Sequence, residues 1–292
     1  MRVALATCAA MPDGLEADRG LHDALQARGA HVTYEVWDDG SVDWDSYDVV
    51  VVRSTFDYSG RRDDFVAWAD SLAGRILNPA PVLRWNSDKR YLSDLSAAGL
   101  PVVPTRFVSP GDPLPELEAE VVVKPSVSAG GRDTGRFAPA AHDRARSLLV
   151  DITETGRTAM VQPYLADVDH RGETALVFCA GEPSHVLRKR AVLGPDEVAP
   201  TRDDAIGAAQ VMYDEDLVGP GEATAAERAL ARRIVDHVAD RFGAPPLYAR
   251  VDLLLTPDDD PTLLELELVE PALYLAHAPG AAERFAAAIM PA

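Results

Sequence analysis

The chain is short of several things that would each announce a function. Two cysteines, Cys8 and Cys179, lie far apart in 292 residues, too few for a disulfide framework or a zinc cluster. Each is flanked by apolar residues, as a packed thiol would be, and a reducing cytoplasm is the expected setting. No apolar run approaches the roughly 18 residues that a membrane span needs; the run Val49 to Val52 has the length of a strand. Positive charge is scarce, with 28 basic against 47 acidic side chains and a net charge of −19. Such a field repels phosphate backbones and anionic lipid, so neither nucleic acid nor membrane is an expected partner. No G-x-x-x-x-G-K-[ST] occurs, no G-x-G-x-x-G follows a first strand, and the seven histidines form neither H-E-x-x-H nor a paired metal spacing. His185 alternates with its neighbours on a strand face and reads as a structural histidine.

Lysine and asparagine are the scarcest polar residues that matter. Only Lys89, Lys124 and Lys189 are lysine, beside 25 arginines, and only Asn78 and Asn86 are asparagine. Where arginine serves as the general positive charge, a retained lysine marks a place that needs a compact, flexible ammonium.

What is present has the periodicity of an α/β protein of more than one unit. Residues 2–7, 31–37 and 48–53 read as strands, with helical spacing over 16–28 and 61–72 between them, which gives a small doubly wound N-terminal domain. The opening residues are taken as its first strand rather than an export signal. Asn78-Pro79-Ala80-Pro81 breaks the chain and 87–98 reads as a helix. Downstream, 120–124 is a valine strand, 126–136 a Gly- and Ser-rich loop, 141–155 a helix and 158–164 a strand. A hairpin follows over 174–179 and 184–190, then a long polar loop over 193–220. The longest amphipathic helix runs 224–242 from a Thr cap to Gly243, and strands 247–255 and 263–269 close the pattern. The expected division is 1–80, a substrate-side α/β domain; 81–164, a central lobe with a lid loop; and 165–292, a C-terminal lobe.

Those last two strands carry Asp252, Glu265 and Glu267. Carboxylates two apart on a strand share a face, and a cluster of acids among apolar neighbours suits a hard divalent cation; a solvated hairpin face is the plainer alternative. Lys124 ends a strand directly before Pro125 and the loop of Ser126, Ser128 and Gly130, whose backbone N–H groups could approach phosphate.

In this order the features resemble the ATP-grasp family of ATP-dependent carboxylate ligases, over most of the chain from Asn78 to Leu275. The carrying segments are Asn86-Ser87-Asp88-Lys89, Lys124-Pro125 with its loop to Thr134, Val161-Gln162-Pro163-Tyr164-Leu165, Arg188-Lys189, Arg250-x-Asp252 and Glu265-x-Glu267. The resemblance implies an N-terminal α/β domain followed by two α+β lobes that sandwich the nucleotide. It assigns ATP to Lys89, Lys124, Ser126, Ser128, Gly130, Gln162, Pro163, Tyr164, Leu165 and Glu173. It assigns transferred phosphate to Arg250, Arg188 and Lys189, and Mg2+ or Mn2+ to Asp252, Glu265 and Glu267. Glu267 departs from the family's Asn, and Glu270 is a substitute ligand. The segments Arg53-Ser54-Thr55-Phe56-Asp57-Tyr58 and Gly172 to Phe178 are similar to those of the O-ureido-serine cyclo-ligase subgroup, whose reaction closes the cycloserine ring in antibiotic biosynthesis. On that likeness Arg53, Ser54, Thr55, Asp57 and Tyr58 at a strand end would hold a small amino-acid-like substrate.

The implied chemistry is activation of a carboxylate as an acyl phosphate, with release of ADP, then amide formation. An intermolecular amino-acid or peptide ligase of the glutathione-synthetase type is the alternative within enzymes, and a non-catalytic nucleotide-binding module the alternative outside them. The oligomeric state is left open, a homo-oligomer included.

Overall fold

The computed structural model describes residues 1–72, 74–199 and 208–291, with Tyr213 described in its backbone only. The first stretch alternates β1 (Arg2–Thr7), α1 (Arg19–Ala27), β2 (His31–Val36), β3 (Val49–Ser54), α2 (Arg62–Ser71) and β4 (Ile76–Leu77). Its four strands are parallel in the order β2-β1-β3-β4, the doubly wound pattern expected from the alternation of strand and helix. The Asn-Pro-Ala-Pro segment is not a break but the start of a helix. Pro81 sits in the first turn of α3 (Ala80–Asn86), where its missing N–H removes no intrahelical bond. The helix expected over 87–98 is correspondingly shorter, α4 (Tyr91–Ala97).

A second unit contains β5 (Arg106–Val108), β6 (Val121–Pro125), β7 (Gly135–Phe137), α5 (His142–Glu154) and β8 (Ala159–Pro163). β7 falls at the end of the segment read as loop, because three residues are too few to show a period. The third stretch comprises α6 (Val168–Arg171), β9 (Glu173–Cys179), β10 (Glu182–Lys189), β11 (Glu197–Val198), β12 (Val218–Pro220), α7 (Ala225–Phe242), β13 (Tyr248–Leu255), β14 (Pro261–Glu267) and α8 (Ala281–Ile289). The long loop expected over 193–220 lies partly outside the described residues; its described parts hold β11 and β12. The two antiparallel sheets run β11-β7-β6-β8-β5 and β12-β10-β9-β13-β14.

α7 begins and ends where its sequence signals place it. Thr224 Oγ1 accepts from the Glu227 N–H at 3.2 Å while Glu227 Oε2 accepts from the Thr224 N–H at 2.7 Å, a reciprocal capping box. Gly243 closes the helix at φ 81°. Leu230, Ile234 and Val238 of α7 pack on Leu176, Phe178, Ala249 and Val251, each large apolar side chain contributing on the order of 1.5–3 kcal/mol. The opposite face of the same sheet gives Ala175, Val177, Leu187 and Tyr248 to a core shared with Leu5, Leu25 and Phe285. One sheet therefore carries the core on both sides and joins the N-terminal domain to the C-terminal lobe.

Both asparagines stitch this sheet. Asn78, wholly buried, donates from Nδ2 to the carbonyls of Tyr248 at 3.0 Å and Leu268 at 2.9 Å, and accepts from the Leu247 N–H at 2.7 Å. Asn86 donates to Leu266 O at 2.8 Å and accepts from Leu268 N at 2.7 Å, and the Tyr91 hydroxyl accepts from Leu266 N at 2.9 Å. At Leu266 and Leu268 the outer edge of β14 and its continuation is thus paired by side chains, and at Leu263 by the backbone of Pro101 and Val103.

The Asn78 amide is needed for its donor as well as its volume. Asn78→Asp, nearly isosteric, turns a carboxyl oxygen toward two carbonyls and lowers the melting temperature at least as far as Asn78→Ala, each costing about 2–4 kcal/mol. Thermal denaturation followed by circular dichroism checks this; a near-neutral Asn78→Asp would contradict it. Cys8 and Cys179 are both buried, and burial pushes the Cys179 thiol up to about 11. Neither cysteine is expected to react with a disulfide reagent at pH 8 in the folded protein, and both react in urea.

Candidate active site

Strand register assembles a charged patch at one end of the C-terminal sheet. Lys189 pairs with Glu173 across β10 and β9, Asp252 with Glu265 and Arg250 with Glu267 across β13 and β14. All six of these side chains, Glu173, Lys189, Arg250, Asp252, Glu265 and Glu267, share the face opposite α7. Lys89 comes to it from the turn before α4 and Lys124 from the end of β6. All three lysines of the chain line one cavity of about 250 Å³, as do Glu173, Arg250, Glu265, Glu267 and Glu270.

The charges are partnered in a fixed pattern. Lys189 Nζ lies 2.8 Å from Glu173 Oε2 and 2.7 Å from Asp252 Oδ2. Arg250 grips Asp252 through Nε and Nη2, each at 2.9 Å, and also bonds Glu267. Lys89 Nζ is 3.2 Å and Lys124 Nζ 3.9 Å from the two oxygens of Glu265. Burial alone would lower the Lys189 ammonium, but Asp252 and Glu173 hold it well above the usual lysine range. Asp252 is the mirror case: burial opposes its charge, and Arg250 and Lys189 overcome that. Lys124 is pushed down by burial, with Glu265 opposing and Lys89 adding to the shift.

The acids differ in the same way. Burial works against Glu265, yet Lys89 and Lys124 hold it below the usual carboxylate range. Glu267 is raised to about 7 by burial, against Arg250 and with the repulsion of Glu265 and Asp252. Glu270 goes well above its ordinary value through burial and Glu267. Glu270 is thus a carboxyl short of positive charge in a cavity that it and the Arg250-paired Glu267 both face. Among the described residues no group of three or more acids, histidines or cysteines is already drawn together around a cation; Asp252 in particular spends its oxygens on Arg250 and Lys189.

The lid loop between β6 and β7 is anchored from below. Lys89 Nζ donates to Ser128 O at 2.9 Å, and the Lys89 N–H to Ser126 O at 2.8 Å. Ser126 is buried and holds the base of the loop, while Ser128 and Gly130 line the cavity. Gly130 adopts φ +63°, and a Cβ there would come within 2.7 Å of the Ala208 methyl, so both conformation and space call for glycine. Gln162, Pro163, Tyr164 and Leu165 form the facing wall. Gln162 Nε2 donates to Thr105 Oγ1 at 2.9 Å, and Tyr164 is held by Asp169 at 2.5 Å and by the Arg136 guanidinium 3.5 Å over its ring. Sequence reasoning missed Arg136, an arginine among many.

Arg188 lies on the other strand face from Lys189, bonding Thr174 Oγ1 at 2.6 Å and Glu222 O at 3.0 Å, and does not line the cavity. Of the N-terminal candidates only Tyr58 does, beside Phe56. Ser54 bonds Thr7 at 2.7 Å and Asp57 accepts from Trp37 Nε1 at 2.9 Å. Arg53 is buried behind them, paired with Asp18. Asn86 and Tyr274 also line it. The rarity of asparagine was a usable signal for the first; nothing local marks Tyr274, whose backbone is left-handed at φ 48°.

Known proteins resemble this chain over nearly its whole length. The family described as D-cycloserine synthetase DcsG, N-terminal domain, matches residues 3–78. The cycloserine biosynthesis protein DcsG of Streptomyces lavendulae is 36% identical over 295 residues, which cover 94% of this chain and 94% of that protein. A crystal structure of D-cycloserine synthetase DcsG superimposes with a TM-score of 0.85 at 31% identity, over 99% of this chain and 98% of that one. D-alanine–D-alanine ligase from Bacillus anthracis complexed with ATP superimposes with a TM-score of 0.69 at 13% identity, over 99% and 96% of the two chains, a likeness of fold alone. The RimK domain protein ATP-grasp from Sphaerobacter thermophilus superimposes with a TM-score of 0.67 at 16% identity, over 99% and 100% of the two chains, again a likeness of fold alone. The chain belongs to the DcsG family, has the ATP-grasp fold, and is a carbon–nitrogen ligase.

Proposed function

We propose that this ligase closes the ring of D-cycloserine, activating the carboxylate of O-ureido-D-serine with ATP so that a nitrogen of the same molecule forms the amide bond. What carries the reading is the convergence of every lysine in the chain on one cavity whose far wall is acidic, joined to the 36% identity with a cycloserine biosynthesis protein. Ring closure leaves the α-carbon untouched, so a D product calls for a D substrate.

Within this cavity Lys89 and Lys124 hold phosphate oxygens while Gly130 and Ser128 of the lid cover them. Gln162 to Leu165 and Glu173 form the wall suited to base and ribose. Lys89, Lys124, Lys189 and Arg250 already face Glu173, Asp252 and Glu265, so the site alone has little surplus positive charge for a triphosphate. Oxygen donors such as these, two of them pushed toward the neutral form, fit a hard cation. Glu265 and Glu267, with Glu270 beside them, would hold Mg2+, which neutralises charge on the transferring phosphoryl group when bound; Asp252, whose oxygens are taken by Arg250 and Lys189, holds those two cations in place.

Arg250, fixed by Asp252, stands over the position where the acyl phosphate forms and favours its developing charge. The γ-phosphoryl group passes to a carboxylate oxygen with ADP leaving, the oxygen-bound nitrogen of the ureido group then attacks the acyl carbon and displaces phosphate, and water cleaves the carbamoyl group from that nitrogen, releasing carbon dioxide and ammonia and leaving the cycloserine ring. Tyr58, Phe56 and Tyr274 exclude water that would hydrolyse the acyl phosphate.

Two outcomes follow. Lys124→Met and Glu265→Gln each lower substrate-dependent ADP release by at least about a hundredfold while melting stays within a few degrees; normal turnover in either would remove the site assignment. In the wild type, O-ureido-D-serine alone supports ADP release, and mass spectrometry detects the cyclised product. A requirement for a second, separate amine points instead to an intermolecular ligase, and the absence of ADP with any carboxylate to a nucleotide-binding module.

A further inference from the structure

The segment after β14 is held by its carbonyls in an uncommon way. Three successive peptide oxygens are each taken by a cationic or imidazole side chain from a different strand. Arg53 of β3 donates from Nη2 to Pro271 O at 3.0 Å, Arg250 of β13 from Nη1 to Ala272 O at 3.1 Å, and His185 of β10 from Nε2 to Leu273 O at 2.8 Å. Arg53 is itself locked by Asp18, Nε to Oδ2 and Nη2 to Oδ1, both at 3.0 Å, and stacks 5.4 Å over the Tyr248 ring. Asp18 and Arg53 are each 1% exposed. Residues 271–273 are flanked by Glu270 and Tyr274, which both face the cavity.

We propose that Arg53 and His185 are positioning residues for the active site. They fix residues 271–273 so that Glu270 and Tyr274 are presented to the bound substrate, and through Asp18–Arg53 the N-terminal sheet takes part in forming a wall that belongs to the C-terminal lobe. Three donors on consecutive carbonyls remove the freedom a loop of this length would otherwise keep. Arg53 does this without touching the cavity, so its charge acts through the loop. His185 suits the task because burial keeps the imidazole low, with the bond to Leu273 opposing. A neutral ring with Nδ1 facing the Ser184 hydroxyl at 3.0 Å leaves Nε2–H as the donor.

The test compares Arg53→Lys, Asp18→Asn, His185→Ala and His185→Gln with the wild type. Amide hydrogen exchange over residues 272–278, with α7 as the internal reference, reads the clamp, and the KM for O-ureido-D-serine reads its consequence. The proposal expects exchange in this segment to rise at least tenfold in Arg53→Lys and His185→Ala while α7 is unchanged. It expects the substrate KM to rise at least tenfold with the Kd for ATP within twofold of wild type, and His185→Gln, which keeps a donor, to recover most of both. Asp18→Asn serves the same comparison should Arg53→Lys fail to fold. Unchanged exchange in the folded variants overturns the proposal, as does raised exchange with an unaltered KM, or an ATP affinity that falls in parallel. The KM arm rests on the proposed cyclisation; should the wild type not consume that substrate, that reading fails while the exchange arm alone decides the clamp.

Discussion

Mutual neutralisation of buried charge on one face of an antiparallel sheet is the constraint on which the molecule is built. Lys189 and Arg250 are tolerable in the interior because Asp252 lies between them, and Asp252 is ionised because they are there. Removing one partner would leave the other a desolvated charge without compensation. The end of the sheet toward α8 uses the same face for an apolar core. A single surface thus passes from packing to chemistry along its strands, and the rigidity of the packed part fixes the separations in the charged part.

The β14 edge shows how that rigidity is obtained. Glu265 and Glu267 stand on an edge strand, which would ordinarily be the softest place in a sheet. Asn86, Asn78 and Tyr91 occupy the vacant hydrogen-bonding positions of its outer side, and all three come from the segment that links the N-terminal domain to the central lobe. The acidic wall is therefore held by residues remote in sequence, and the same is true of the loop that follows it.

Much of this was legible in the sequence, and what was not has physical reasons. The α7 boundaries follow from Thr224, Glu227 and Gly243, because capping is local. Lys89, Lys124 and Lys189 could be singled out because arginine had replaced lysine everywhere else, and all three line the cavity. The shared face of Glu265 and Glu267 follows from the period of two, and the register of β13 on β14 adds Asp252 to it. By contrast, α3 was hidden by prolines that resemble a break, and β7 by its brevity. Arg53 stood out at a strand end, but only tertiary packing turns it away from the cavity toward Asp18 and Pro271. Tyr274 and Arg136 act through contacts with distant segments, for which a single sequence has no local signal.

The central claim, that the lysines and the acids form the two sides of one phosphate and metal site, is tested most directly by crystallography with a non-hydrolysable ATP analogue and Mn2+. Anomalous scattering should place Mn2+ within coordination distance of Glu265 and Glu267, with phosphate oxygens between it and the ammonium groups of Lys89 and Lys124. Phosphates bound away from those lysines, or Mn2+ remote from those carboxylates, would contradict the account.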